Sequence, residues 1–131
     1  MTLLYVDDNS PRLQALTARL ALAGYEVLSA SNGTSALEIF KKSHVDMAVV
    51  DYYMEDMGGD VVAVEMKRAK SDVPIIIFSG SFTLSEMVIA LVDGFVYTGE
   101  DPEKLLDKIA QLLWRREQRF QGAHASTSGI A

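Results

Sequence analysis

Five times along this chain, a short apolar run gives way to a longer segment whose apolar residues recur at helical spacing. The apolar runs lie at residues 3–6, 25–30, 47–50, 75–78 and 95–97. Helix signals follow them, such as the serine and proline at Ser10 and Pro11 and the capping-box pattern from Thr83 to Glu86. Strands that alternate with helices predict right-handed crossovers and therefore a doubly wound α/β fold around a five-stranded parallel sheet.

Length and composition narrow the class of protein. The chain has 131 residues, a net charge of −6 and no cysteine, which suits one domain and excludes disulfides, thiolate zinc sites and cysteine nucleophiles. His44 and His124 are too far apart to suggest a metal site. The negative charge disfavours direct binding to nucleic acid. No apolar run is long enough for a membrane helix and no signal peptide is visible, so we expect a cytoplasmic protein.

We expect the folded domain to cover residues 1–120. Residues 121–131 are small and polar, which is typical of a disordered tail.

Acidic residues follow two strands that a doubly wound sheet makes neighbours. Asp7 and Asp8 follow the first strand, Asp51 follows the third, and the hydroxyl of Ser79 follows the fourth. Three clustered carboxylates repel one another, and a bound Mg²⁺ ion commonly offsets this repulsion. The Asp51 carboxylate could then act as a nucleophile toward a phosphoryl group. The simpler alternative is that these aspartates are turn residues at strand ends.

Several motifs resemble those of response-regulator receiver domains, the signalling modules of two-component systems. The resemblance covers residues 2 to about 118, and it implies a CheY-like, flavodoxin-like (βα)5 fold with strand order 2-1-3-4-5. The motifs that carry it are LYVDDN at 4–9, MAVVDYYM at 47–54, VPIIIFSG at 73–80, and Phe95 ahead of DPEKLL at 101–106.

The resemblance also implies a role for each site residue. It makes Asp51 the phosphoacceptor and Asp8 a direct Mg²⁺ ligand, with Asp7 acting through water. The backbone carbonyl of Tyr53 would complete the metal ligands. Ser79 would donate a hydrogen bond to the phosphoryl group.

The end of the fifth strand departs from the family pattern. The family has a lysine and a proline where this chain has Thr98 and Gly99, and Lys104 falls on the predicted fifth helix. We expect Mg²⁺ to bind at Asp7, Asp8 and Asp51 despite the missing lysine, because losing a cation from an acidic cluster favours a divalent ion. We also expect Phe95, which matches the aromatic residue that changes rotamer on activation, to respond weakly to phosphorylation.

The predicted fourth helix is apolar on every side from Met87 to Val92. Either it is deeply buried or partly a strand, or residues 84–92 form a contact surface for a homodimer or a target protein.

These patterns favour a stand-alone receiver domain that accepts a phosphoryl group on Asp51 from a histidine kinase or phosphotransfer protein and is not an enzyme. The alternative is a degenerate receiver that serves as a phosphorylation-independent interaction module. A phosphohydrolase with an aspartyl nucleophile would need a further acid at Tyr53 and a lysine at Thr98, and both residues argue against it.

Overall fold

The computed structural model describes the backbone of residues 1–80 and 84–130, and the side chains of residues 1–80 and 84–121. The strands are β1 (Thr2–Val6), β2 (Glu26–Ala30), β3 (Met47–Asp51), β4 (Ile75–Ser79) and β5 (Gly94–Tyr97). The helices are α1 (Ser10–Leu22), α2 (Gly33–Lys42), α3 (Gly59–Ala69), α4 (Glu86–Leu91) and α5 (Pro102–Ile130). All four strand pairs are parallel, in the order β2-β1-β3-β4-β5, which confirms the predicted doubly wound fold.

The sheet has a hydrophobic core on each face, because side chains of a strand alternate between its two sides. Leu4, Val50 and Ile77 pack with residues of α2 and α3 on one face. Tyr5 and Val49 lie in the core that α1 and α5 cover on the other. Apart from Thr2, Asp51 and Ser79 at their ends, the three central strands are apolar, as expected for strands covered on both faces.

Side-chain caps set the starts of four helices, and Asn32 provides the cap of α2. Asn9, rather than the predicted Ser10, caps α1 by accepting a 3.0 Å hydrogen bond from the Arg12 backbone. Asp101 accepts a 3.0 Å bond from the backbone of Glu103, as the sequence predicts for α5. Ser85 caps α4, whereas Thr83 of the predicted capping box lies outside the described residues.

Helix α5 runs past the predicted domain boundary to Ile130. The backbone of residues 121–130 is part of this helix, and the assignment of residues 121–131 as a tail outside the domain stays a prediction. No proline follows Pro102, so nothing in the sequence forces the helix to stop at residue 121. Within residues 1–80 and 84–130, no helix combines the length and apolar character needed to cross a membrane.

Helix α4 is short and largely exposed. Val88 is its buried residue, while the side chains of Met87 and Ile89 are 64% and 57% exposed. The expectations of deep burial and of a partial strand are both wrong, because this helix of six residues packs on the described core only through Val88 and the partly buried Leu91.

Candidate functional site

The three aspartates singled out in the sequence meet at one edge of the sheet. β1 and β3 are paired with Val6 opposite Val50, so Asp7 and Asp51 emerge side by side where these strands end. One carboxylate oxygen from each of Asp7, Asp8 and Asp51 lies within 4.8 Å of the others. Asp7 and Asp51 are buried whereas Asp8 is exposed, so the cluster opens to solvent on the Asp8 side.

Four hydrogen bonds hold the Asp7 carboxylate. Its Oδ2 accepts from the Tyr5 hydroxyl and from Arg12 Nε, both at 2.6 Å. Its Oδ1 accepts from the Asn9 backbone and from Arg12 Nη2, both at 2.9 Å. A carboxylate has about four lone-pair positions, so these donors match its capacity, and the guanidinium compensates its buried charge.

Sequence reasoning missed Arg12. Besides its two bonds to Asp7, its Nη2 lies 3.5 Å from Asp51 Oδ2. A cation from α1 therefore already lies against two of the three acids. The sequence did contain a signal for Arg12. The side chain of the third residue after a helix cap faces back toward the cap, and Arg12 is the third residue after Asn9, which follows Asp7 and Asp8.

Burial raises the pKa of Asp51 to about 7. The charge of Asp7 contributes to this rise, whereas the guanidinium of Arg12 and a 3.4 Å hydrogen bond from the Tyr53 backbone oppose it. The hydrogen bonds to Asp7 raise the pKa of Arg12, so this residue stays positively charged. Without a bound metal ion, the carboxyl group of Asp51 therefore titrates close to neutral pH.

Ser79 and Thr98 lie at the same edge, at the ends of β4 and β5. Phe78 is the partner of Asp51 in the sheet, so the buried Ser79 lies one residue beyond it. The Thr98 backbone donates a 2.8 Å hydrogen bond to the Ser79 carbonyl. The structure thus places Ser79 near the acids and Thr98 on the far side of Ser79.

Tyr53 lies at the rim of the site. Its ring is 58% exposed and packs edge-on against Tyr52 at a centroid distance of 4.9 Å. Together with Asp8 and Glu55 it lines an open cleft of about 390 Å³. This cleft therefore borders the acidic cluster on its exposed side, at Asp8.

Phe95 and Lys104 lie apart from the acids. Phe95 is half-buried on β5 and packs against the core on the α4 side of the sheet. Lys104 is exposed on α5, where the sequence places it.

A close backbone contact fixes the position of Asp51. Gly59, the first residue of α3, donates a 2.8 Å hydrogen bond to the Tyr52 carbonyl. A Cβ at position 59 would lie 2.4 Å from the Asp51 carbonyl oxygen. Glycine is therefore required where α3 packs on the end of β3.

Comparison with known proteins identifies the family. The family model described as "Response regulator receiver domain" matches residues 3–110. The chain belongs to this family. It is therefore a receiver domain, a signalling module of two-component systems.

Relatives and solved structures agree with this assignment. The receiver domain is 31% identical over 131 residues to the "Probable transcriptional regulator ycf27" of Porphyridium aerugineum, covering 98% of this chain and 54% of that protein. The chain thus spans about half the length of such curated relatives. A CheY-like receiver domain from Methanospirillum hungatei JF-1 is 25% identical with a TM-score of 0.85, covering 90% of this chain and 97% of that one. The response regulator TrrA from Thermotoga maritima, solved in complex with Mg²⁺-BeF, is 28% identical with a TM-score of 0.81, covering 85% and 97%.

Proposed function

We propose that this receiver domain accepts a phosphoryl group on Asp51 from a histidine kinase or a phosphotransfer protein in the cytoplasm. The observation that carries the proposal is the placement of Asp51, which lies buried at the end of β3 beside two further acids. In the reaction, a carboxylate oxygen of Asp51 forms a bond to phosphorus while the phosphorus–nitrogen bond of a phosphohistidine breaks. The histidine nitrogen then takes up a proton.

The donor set fits Mg²⁺. Three carboxylate oxygens lie within 4.8 Å of one another, and carboxylates are ligands that Mg²⁺ prefers. Asp8 and Asp51 are the direct ligands in this proposal, together with the backbone carbonyl of Tyr53. Asp7 contacts the ion through a water molecule in this proposal, because its oxygens already accept four hydrogen bonds. Bound there, the ion supplies positive charge that favours ionised Asp51 and an anionic phosphoryl group.

Two further roles follow the order of the sheet. The hydroxyl of Ser79 donates a hydrogen bond to a phosphoryl oxygen. The position of Ser79 supports this role, because the residue is buried and directly follows Phe78, the partner of Asp51 in the sheet. Phe95 and Thr98 form the switch segment, and the uncharged Thr98 couples this segment only weakly to phosphorylation.

Phosphorylation by acetyl phosphate tests the proposal directly. We expect the wild type, incubated with acetyl phosphate and Mg²⁺, to gain the mass of one phosphoryl group in an intact-mass measurement, and to gain none in EDTA. Asp51→Asn should gain none under either condition. Asp56→Asn, an exposed acid in the same loop, serves as the matched control and should be phosphorylated normally. A wild type that remains unmodified, or an Asp51→Asn variant that is modified equally, would contradict the proposal.

One observation favours the alternative of a phosphorylation-independent interaction module. The fork from Arg12 compensates Asp7 and lies against Asp51 without any added ion. A pocket in which Arg12 already compensates the buried Asp7 could keep one conformation. Under this alternative the wild type stays unmodified but still binds its partner with an affinity that Asp51→Asn leaves unchanged.

The exposed side of α4 is our candidate for a homodimer or target surface. Met87 and Ile89 project from a short helix in residues 84–92, and clustered exposed apolar side chains are typical of contact surfaces.

We expect Ile89→Glu to weaken self-association or target binding about tenfold or more, because a charge in an apolar contact is left unpaired. Sedimentation of the wild type over a range of concentrations, with and without the partner kinase, measures this effect. The matched control is Val61→Glu, the same type of change at a 46% exposed residue of α3. Equal behaviour of the two variants would remove α4 as the contact surface.

A further inference from the structure

Arg12 is positioned to meet an anion on Asp51. Its Nη2 lies 3.5 Å from Asp51 Oδ2, a separation at which the charges attract across a gap slightly too long for a good hydrogen bond. A phosphoryl group attached to Asp51 adds oxygens beyond the carboxylate. Those oxygens bring further hydrogen-bond acceptors to the Asp51 side of this gap.

The guanidinium is held in place before any ligand arrives. Its Nε and Nη2 form the fork on buried Asp7 at 2.6 and 2.9 Å. Its carbon lies 5.9 Å from the centroid of the Phe78 ring, within the range of a cation–π contact. The fork uses two of the five N–H groups of the guanidinium, so three donors are not part of it.

Within the part of the chain whose side chains are described, Arg12 is the cation that pairs with Asp51. Thr98 carries no charge, and Lys104 is exposed on α5. The resemblance to receiver domains places a lysine at position 98, so a phosphoryl group here would lack its usual cation unless another residue provides it.

We propose that Arg12 binds the phosphoryl group on Asp51, and that the cation of this site therefore comes from α1 instead of from the segment after β5. The inference rests on the proposed phosphorylation of Asp51. It assigns Arg12 two functions, which are to hold Asp7 and to donate charge-assisted hydrogen bonds to phosphoryl oxygens. Arginine suits both because its planar fork binds carboxylate and phosphate oxygens alike.

Titration with beryllofluoride at saturating Mg²⁺, followed by NMR, tests the inference. We expect Arg12→Gln to bind beryllofluoride about tenfold or more weakly than the wild type, the size of one lost charge-assisted hydrogen bond. Arg12→Lys should fall between the two, because it keeps the charge but loses the fork. The double variant Arg12→Gln with Thr98→Lys should regain affinity, since a cation then reaches the anion from the other side.

Arg12→Gln leaves buried Asp7 without its cation and could unfold, so Arg12→Lys, which keeps a charge beside Asp7, keeps the test decisive. The matched control is Arg19→Gln, which removes an arginine of the same helix that pairs with Glu103 away from the site; its beryllofluoride affinity should equal that of the wild type. If the wild type binds and the folded Arg12 variants bind equally well, the inference fails and Arg12 serves Asp7 alone. A wild type that shows no binding overturns the proposed phosphorylation of Asp51, and this inference with it.

Discussion

Asp51→Asn is expected to raise the free energy of unfolding by about 2–4 kcal/mol at pH 8 without divalent cations, and to change it little near pH 4. Burial raises the folded-state pKa of Asp51 from 3.8 to about 7. Between these values the native carboxyl keeps a proton that the unfolded chain has lost, so the wild type loses stability as the pH rises through this window. Above it, the native state carries a buried charge that asparagine does not have.

Urea unfolding of both proteins at pH 4, 6 and 8 in EDTA measures the effect, and the difference between them isolates Asp51. Asp107→Asn, an exposed acid of α5, is the control and should differ from the wild type by less than about 0.5 kcal/mol at each pH. A variant no more stable than the wild type at pH 8 would show that Arg12 and the backbone fully offset the cost of burying the charge.

Gly59→Ala is expected to destabilise the domain by about 2–4 kcal/mol and to displace Asp51. The added Cβ would lie 2.4 Å from the Asp51 carbonyl oxygen and 2.7 Å from the Tyr52 Cα. Both contacts are with backbone, so they are relieved only if α3 moves away from the end of β3. Such a movement would also break the hydrogen bond from Gly59 to the Tyr52 carbonyl.

The neighbouring glycine offers a matched control. A Cβ on Gly58 would lie 2.4 Å from the carboxylate of Asp60, which is the flexible end of a side chain. Gly58→Ala should therefore change the free energy of unfolding by less than about 1 kcal/mol. Thermal and urea unfolding compare the variants, and backbone NMR shifts around Asp51 report its displacement. Similar losses in the two variants would indicate a general intolerance of alanine in this loop instead of a clash with Asp51.

The sequence was informative about the sheet because its signals are local and strong. Runs such as Ile75–Phe78 are apolar without interruption, which only strands covered on both faces need. Once the strand order followed from the resemblance, the ends of β1 and β3 had to be neighbours, and the meeting of Asp7 and Asp51 required no further information.

Local patterns were less informative where tertiary contacts decide the outcome. The apolar residues from Met87 to Val92 suggested burial, but exposure depends on what lies opposite α4, and periodicity does not contain that information. Arg12 was missed for a related reason. The search for a missing cation was directed at Thr98 and Lys104, which are close in sequence to the expected position, whereas the cation comes from another helix.

The attachment of Arg12 to the first turn of α1 has a mechanical consequence. A residue on a loop can follow a ligand while its neighbours stay in place, but the backbone at Arg12 is bonded into a helix of 13 residues. At about 1.5 Å per residue this helix is about 20 Å long, and its last residue, Leu22, has a side chain 87% exposed. A small tilt of α1 at the Arg12 end would therefore displace the surface around Leu22, at the other end of this helix.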